Sequence, residues 1–341
     1  MGSDFIKPYI QTLSPYSTAR DEFTGAASVF LDANENPYPT TVNRYPDPHQ
    51  RALKTLIGEL KGVDTARIFL GNGSDEAIDI LVRVIDCEDG GITITPPTYG
   101  MYKVAAASNG VSVVDAPLRE DFSLDLDAIR RASTQGSRLL FLCSPNNPTG
   151  REYDLRDIQG VLEAFEGIVV VDEAYIDFAD GPSALELLGR YERLVVLQTF
   201  SKAWGMAGIR LGMAFAAPAL IAAMNKLKLP YNVSELTQRY ALERLREPER
   251  MKGDVQELRT ERERLMRELQ SLPGITRVFP SGGNFLLVRM FEPRAVFERL
   301  QTRGIIVRDR SKERGCEGCL RITVGTSDEN VALLDALREI L

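Results

Sequence analysis

Five short apolar runs recur between segments of helical spacing: Ile68-Phe69-Leu70, Ile92-Thr93-Ile94, Leu139 to Cys143, Ile168 to Val171 and Leu194 to Leu197. They constrain the fold more than any other feature. Runs this short and this apolar read as strands buried on both faces, and the helical segments between them supply the crossovers that parallel strands need. An α/β architecture follows, with a mostly parallel central sheet flanked by helices. Beyond Pro218 the helical patterns lengthen, at Glu235 to Leu245 and Pro248 to Leu269. The tail then runs through Arg277-Val278, Asn284 to Arg289, a helix at Arg294 to Thr302, Ile305 to Arg308, Leu320 to Val324 and a last helix from Ser327, which predicts a smaller α+β layer. Residues up to about Pro48 lack sustained periodicity and read as an extended arm leading into a helix over Gln50 to Leu60. The expected division is an arm at 1–40 joining the small domain, a large domain at 41–230 and a small domain at 231–341.

With 341 residues the chain is long enough for two such units. A formal net charge of −7 argues against a general nucleic-acid binder. Cys87, Cys143, Cys316 and Cys319 are too few and too irregular for a disulfide framework, and they suit a reducing cytoplasm. Cys316 and Cys319 form a CxxC without a second pair or a histidine cluster, so no metal site is expected. The opening Met1 to Lys7 has no signal-peptide pattern, and no segment is apolar for the roughly 18 residues that cross a bilayer. A cytoplasmic protein without a membrane or nucleic-acid partner is the expectation.

Chemistry concentrates at the ends of the predicted strands. Thr199-Phe200-Ser201-Lys202 follows the run at Leu194 to Leu197, which puts Lys202 where α/β sheets hold their ligands. A lysine desolvated there is nucleophilic enough to condense with an aldehyde. Ser144-Pro145-Asn146-Asn147-Pro148-Thr149-Gly150 follows the run ending at Cys143, and Asp172-Glu173-Ala174-Tyr175 follows the run ending at Val171. Alone, the first reads equally as a turn and Asp172 as a helix cap. Together with Lys202 they supply what a pyridoxal phosphate ring requires: Asp172 as a carboxylate for the ring nitrogen, Tyr175 and Asn147 as donors to its 3-oxygen, and Lys202 for its aldehyde. Lys202, as a free amine, is also the expected proton carrier.

The cofactor's phosphate needs its own cradle. Gly71-Asn72-Gly73-Ser74-Asp75-Glu76 lies between a strand and an apolar helix from Ala77, where main-chain N–H groups of Gly73, Ser74 and Asp75 suit a dianion. The side chains of Asp75 and Glu76 are expected to turn away, because their charge opposes the phosphate. Ser201 and Arg210, the latter in a glycine-rich stretch with Gly205, Gly208 and Gly212, close the other side. Tyr99 is placed to stack on the pyridine ring.

These motifs resemble the fold-type I pyridoxal-phosphate-dependent aminotransferases, over nearly the whole chain. Asp172, Lys202 and Arg210 mark the superfamily. Leu13-Ser14-Pro15-Tyr16, Leu31 to Pro37, Asn43 to Pro46, Ile306 to Asp309 and Leu320 to Thr326 are most similar to its histidinol-phosphate branch. The resemblance implies a homodimer with shared active sites, in which Tyr45 reaches the partner's cofactor phosphate. It also implies that Arg321, helped by Arg308 and Tyr16, grips the substrate's anion. The reaction implied is histidinol phosphate with 2-oxoglutarate giving imidazole-acetol phosphate and glutamate, reversibly, in histidine biosynthesis. An aromatic amino-acid aminotransferase and a threonine-phosphate decarboxylase are the neighbouring alternatives on the same fold. A cofactor-binding regulator is disfavoured, since the arm is too short and acidic for a DNA-binding segment.

Overall fold

Alternate residues of the apolar runs face opposite sides of one sheet, and each side has its own core. Leu70, Leu140, Leu142, Val169, Val171 and Val196 enter one cluster, whereas Phe69, Phe141, Val170, Val195 and Leu197 enter the other. This two-sided burial explains why the runs are continuously apolar. In the computed structural model of the chain, residues 2–23, 25 and 27–341 are described.

The larger sheet has seven strands: β1 (Ile68–Asn72), β2 (Ile92–Ile94), β3 (Val113–Asp115), β4 (Leu139–Cys143), β5 (Ile168–Asp172), β6 (Leu194–Thr199) and β7 (Leu211–Phe215). Their order is β1-β7-β6-β5-β4-β2-β3. The pairs β3/β2, β2/β4, β4/β5 and β5/β6 are parallel, and β7 runs antiparallel to both β6 and β1. The mostly parallel sheet is therefore as expected, but two strands were not anticipated from the sequence. At three residues and only half-buried, β3 gives little pattern. In β7 the glycines and Arg210 made the segment read as loop.

A four-stranded antiparallel sheet, of order β10-β11-β9-β8, forms the smaller layer from β8 (Ile275–Val278), β9 (Phe285–Met290), β10 (Arg308–Asp309) and β11 (Cys319–Thr323). Helices at Pro248–Gln270, Pro293–Thr302 and Ser327–Ile340 cover it around Leu265, Leu286, Val288, Leu300 and Leu337. Arg308 pairs with Arg321 across β10 and β11, which fixes two arginines side by side.

Two contacts differ from the expected division. The opening of the arm packs on the large unit: Ile6 bridges Ile85, Lys7 N–H donates to the Val84 carbonyl at 3.0 Å, and Ile10 is fully buried among large-sheet residues. Two isoleucines among polar neighbours were the signal for that docking. Beyond residue 231, Asn232 donates to the Leu70 carbonyl at 3.0 Å and Thr237 to the Ile209 carbonyl at 3.0 Å. The helix Glu235–Arg244 thus still leans on the large unit.

Candidate active site

One cleft of about 370 Å³ opens between the two layers at the carboxyl ends of the parallel strands. Its wall carries twelve of the fourteen residues expected at the site: Gly73, Ser74, Asp75, Tyr99, Asn147, Asp172, Tyr175, Ser201, Lys202, Arg210, Arg308 and Arg321. Tyr16 and Tyr45 are not among them. Tyr16 is 73% exposed, and Tyr45 stacks on Tyr231 with ring centroids 4.3 Å apart.

Asp172 ends β5 and is buried. The Tyr102 hydroxyl donates to it at 2.7 Å and the Ala174 N–H at 3.1 Å, and among the described residues it has no cationic ion-pair partner. Burial pushes its carboxyl up to about 6; the two hydrogen bonds and Lys202 pull down, and Asp75 adds to the rise. A carboxylate in that position is poised for a cation that the chain itself does not supply.

The sign of the resulting pH effect is unusual for an acid. Because the folded protein holds the Asp172 proton above the unfolded pKa of about 4, stability contributed there falls as pH rises toward about 6. Glu173, also buried and raised to about 7, acts in the same direction and is held by Ser183, the Ala184 N–H and Gln198. Without added cofactor, Asp172→Asn is expected to gain stability over the wild type between about pH 4 and pH 6, by on the order of 3 kcal/mol at the plateau. Urea midpoints across that range check this; a pH-independent difference between the two proteins contradicts it.

Lys202 follows β6 and reaches into the open cleft, with its Nζ 5.6 Å from the centre of the Tyr175 ring. Its ammonium is held below the ordinary lysine value by burial and by the Arg321 cation, against the pull of Asp75 and Asp172. The shift favours the neutral, nucleophilic amine. Tyr175 is edge-on to Phe285, and burial pushes its phenol up, so the hydroxyl stays a donor. The Asn147 amide nitrogen lies 3.5 Å from that hydroxyl, while its oxygen accepts from Arg321. Asn147 thereby links the two sides of the cleft.

The helix Ser74–Val84 begins three residues earlier than the sequence suggested, and no side chain caps its first turn. Its leading N–H groups are left for an anion. The surroundings require glycine: a Cβ at Gly212 would lie 2.1 Å from the Ser74 nitrogen, and one at Gly73, whose φ is +75°, would lie 2.6 Å from the Arg210 guanidinium. Glu76 turns away as expected, toward Asn72 and Asn232. Asp75 does not. It stays on the cleft wall, accepting from Tyr99 at 3.2 Å and from Arg210 at 3.4 Å, because the guanidinium offsets its charge. Ser201 completes this corner beside Thr199.

These residues fit pyridoxal phosphate. A buried carboxylate without a cation among the described residues, an adjacent phenol and amide, a depressed lysine and an uncapped helix start framed by an arginine are the complementary groups for its ring nitrogen, 3-oxygen, aldehyde and phosphate. Sequence reasoning missed Tyr102, which is fully buried, stacks on Phe141 at 4.7 Å and orients Asp172. It also missed Arg310, although Arg308 and Arg310, two apart in an extended segment, share one side of it. Cys316 and Cys319 are buried and unpaired, and among the described residues no group of three or more potential metal ligands stands together.

Comparison with known proteins places the chain among relatives along nearly its whole length. Histidinol-phosphate aminotransferase of Parabacteroides distasonis is 51% identical over 339 residues, covering 99% of this chain and 98% of that protein. Among solved structures, histidinol-phosphate aminotransferase from Clostridium acetobutylicum superposes with a TM-score of 0.81 at 26% identity, over 88% of this chain and 91% of that one. The enzyme of the same name from Sinorhizobium meliloti, solved in complex with pyridoxal-5'-phosphate, gives 0.81 at 25% identity, over 90% and 89%. Residues 26–337 match the family described as aminotransferase class I and II, and the chain belongs to that family.

Proposed function

We propose that the protein is a pyridoxal-phosphate-dependent histidinol-phosphate aminotransferase, which converts histidinol phosphate and 2-oxoglutarate to imidazole-acetol phosphate and glutamate, reversibly, in histidine biosynthesis. The observation that carries this reading is that Arg308 and Arg321 share one cleft with Lys202 and Asp172. A substrate anion and a reactive amine are thus served together. The name of the Parabacteroides relative, at 51% identity over nearly the whole chain, supports the choice of substrate.

Each residue has a role in this reading. The N–H groups of Ser74 and Asp75, the Ser201 hydroxyl and Arg210 would hold the cofactor's phosphate, beside the turn at Gly73. Asp172, oriented by Tyr102, would face the ring nitrogen and keep it protonated, and Tyr99 on the cleft wall would offer its ring to the pyridine. Asn147 and Tyr175, adjacent on the cleft wall, would donate to the 3-oxygen. The bound cofactor supplies an aldehyde and an electron-withdrawing ring that stabilises charge at the substrate's α-carbon. The neutral Lys202 amine would take the proton from the substrate's α-carbon and could hand it on to the cofactor's C4′, a role that a depressed ammonium favours. Arg321, with Arg308, holds the phosphate of histidinol phosphate or the distal anion of glutamate.

The arm explains the two residues outside the cleft. Tyr16, Val29, Leu31 and Tyr38 are 71% to 87% exposed, an apolar display that suits a second copy of the chain. In this homodimer Tyr45 approaches the partner's cofactor phosphate and Tyr16 its substrate. No described helix is long and apolar enough to cross a membrane, and four unpaired cysteines suit a reducing cytoplasm, where we place the enzyme.

The test is a ranking of kcat/KM for histidinol phosphate, phenylalanine and threonine phosphate with the purified holoenzyme. Histidinol phosphate is expected first. Preference for phenylalanine would indicate an aromatic aminotransferase, and carbon dioxide release from threonine phosphate a decarboxylase.

A further inference from the structure

Three guanidinium groups, of Arg308, Arg310 and Arg321, line the small-layer wall of the cleft, yet one carboxylate accompanies them. Arg310 donates to Glu313, which forms an ion pair with it, whereas Arg321 bonds only the neutral Asn147 amide. Among the described residues Arg308 and Arg321 have no carboxylate partner. Three guanidinium groups against one carboxylate leave this wall a surplus of two positive charges, and the Arg310 charge is the one Glu313 offsets while the pair is held. Its hydrogen bonding is also incomplete: the Nε groups of Arg310 and Arg321 and one Glu313 oxygen are buried without a partner. Arg310 and Glu313 are mostly covered, with side chains 15% and 31% exposed, so solvent does little to quench this imbalance.

In the reaction assigned above, on which this inference rests, the same cleft accepts two substrates of different charge. Glutamate presents a distal carboxylate with one charge and two oxygens, whereas histidinol phosphate presents a dianion with three terminal oxygens. Two guanidinium forks satisfy the first. A third gives the second a further donor pair for its extra oxygen and charge.

We propose that Arg310 is the residue that distinguishes these groups: Glu313 retains it when the cleft holds a carboxylate, and a phosphate dianion draws it in as a third ligand. Glu313 keeps carboxylates from binding too tightly, and so lets both half-reactions turn over in one site.

Steady-state kinetics of Arg310→Gln holoenzyme test this. The KM for histidinol phosphate should rise about tenfold or more while that for glutamate stays within about twofold; Arg310→Lys should restore part of the loss. An equal change for both substrates, or none, overturns the proposal. Glu313→Gln is the second variant, expected to lower the glutamate KM and narrow the discrimination, and an unchanged ratio counts against the switch. Calorimetry with inorganic phosphate and with acetate, at mildly alkaline pH, separates this inference from the assigned reaction. If the wild type does not turn over histidinol phosphate, that reading falls. Weaker phosphate binding with unchanged acetate binding in Arg310→Gln still upholds the role of Arg310, and equal binding of phosphate by both proteins removes it.

Discussion

Lys202→Ala is expected to lower kcat by about 10⁴-fold or more and to remove the visible absorption that a lysine-linked cofactor gives the wild type. The side chain is reached only from the cleft, behind the end of β6, and no other described lysine lines that wall. Its replacement removes both the nucleophile that anchors the aldehyde and the amine that carries the proton. The phosphate cradle at Ser74, Ser201 and Arg210 is untouched, so the variant should still retain cofactor without covalent attachment. Lys202→Arg separates charge from nucleophilicity: a guanidinium, protonated at all working pH values, should be as inactive as alanine. Absorbance spectra and initial rates check both, and retained colour with substantial turnover in Lys202→Ala would remove the lysine from its role.

Asp172→Asn has the second largest expected effect, and it pulls stability and activity in opposite directions. Without cofactor the variant is relieved of a buried carboxylate that has no cation, and it gains stability above the acidic range. With cofactor it loses the charge that faces the ring nitrogen, and leaving a buried cation unpaired costs about 3–5 kcal/mol. That corresponds to a fall in kcat of roughly 10²- to 10⁴-fold. The amide oxygen still accepts the Ala174 N–H, and the amide NH2 donates to the Tyr102 hydroxyl oxygen in a reversed bond, so the site keeps its shape. Steady-state rates and cofactor titration measure the loss. A variant as active as the wild type would mean that the ring nitrogen needs no charged partner. A stability gain joined to an activity loss is what functional sites show when local strain serves chemistry.

The chemistry of the chain was more legible in sequence than its boundaries. Lys202, Asp172 and Asn147 stand at the ends of adjacent parallel strands, where an apolar run simply stops at a polar residue. That signal is local and strong. β7 was hidden because it must contain Gly212, whose hydrogen is all that fits against Ser74, and because Arg210 before it takes a left-handed φ of +53°. Backbone demands of the cradle overrode strand propensity there. The role of Tyr102 is not legible in the sequence, since its bond to Asp172 spans 70 positions and no spacing rule reaches that far. The docking of Ile6 and Ile10 on the large unit is equally nonlocal. Asp75 was misjudged for a different reason: charge repulsion from a phosphate was weighed without the Arg210 cation that stands 3.4 Å from it.

Incubation of the holoenzyme with histidinol phosphate and 2-oxoglutarate, with glutamate and imidazole-acetol phosphate quantified together, tests the assigned reaction most directly. One glutamate should form for each histidinol phosphate consumed; without 2-oxoglutarate no glutamate should form, and imidazole-acetol phosphate should not exceed the amount of enzyme present. Absence of glutamate, or loss of histidinol phosphate well beyond the amount of enzyme when 2-oxoglutarate is left out, would contradict it.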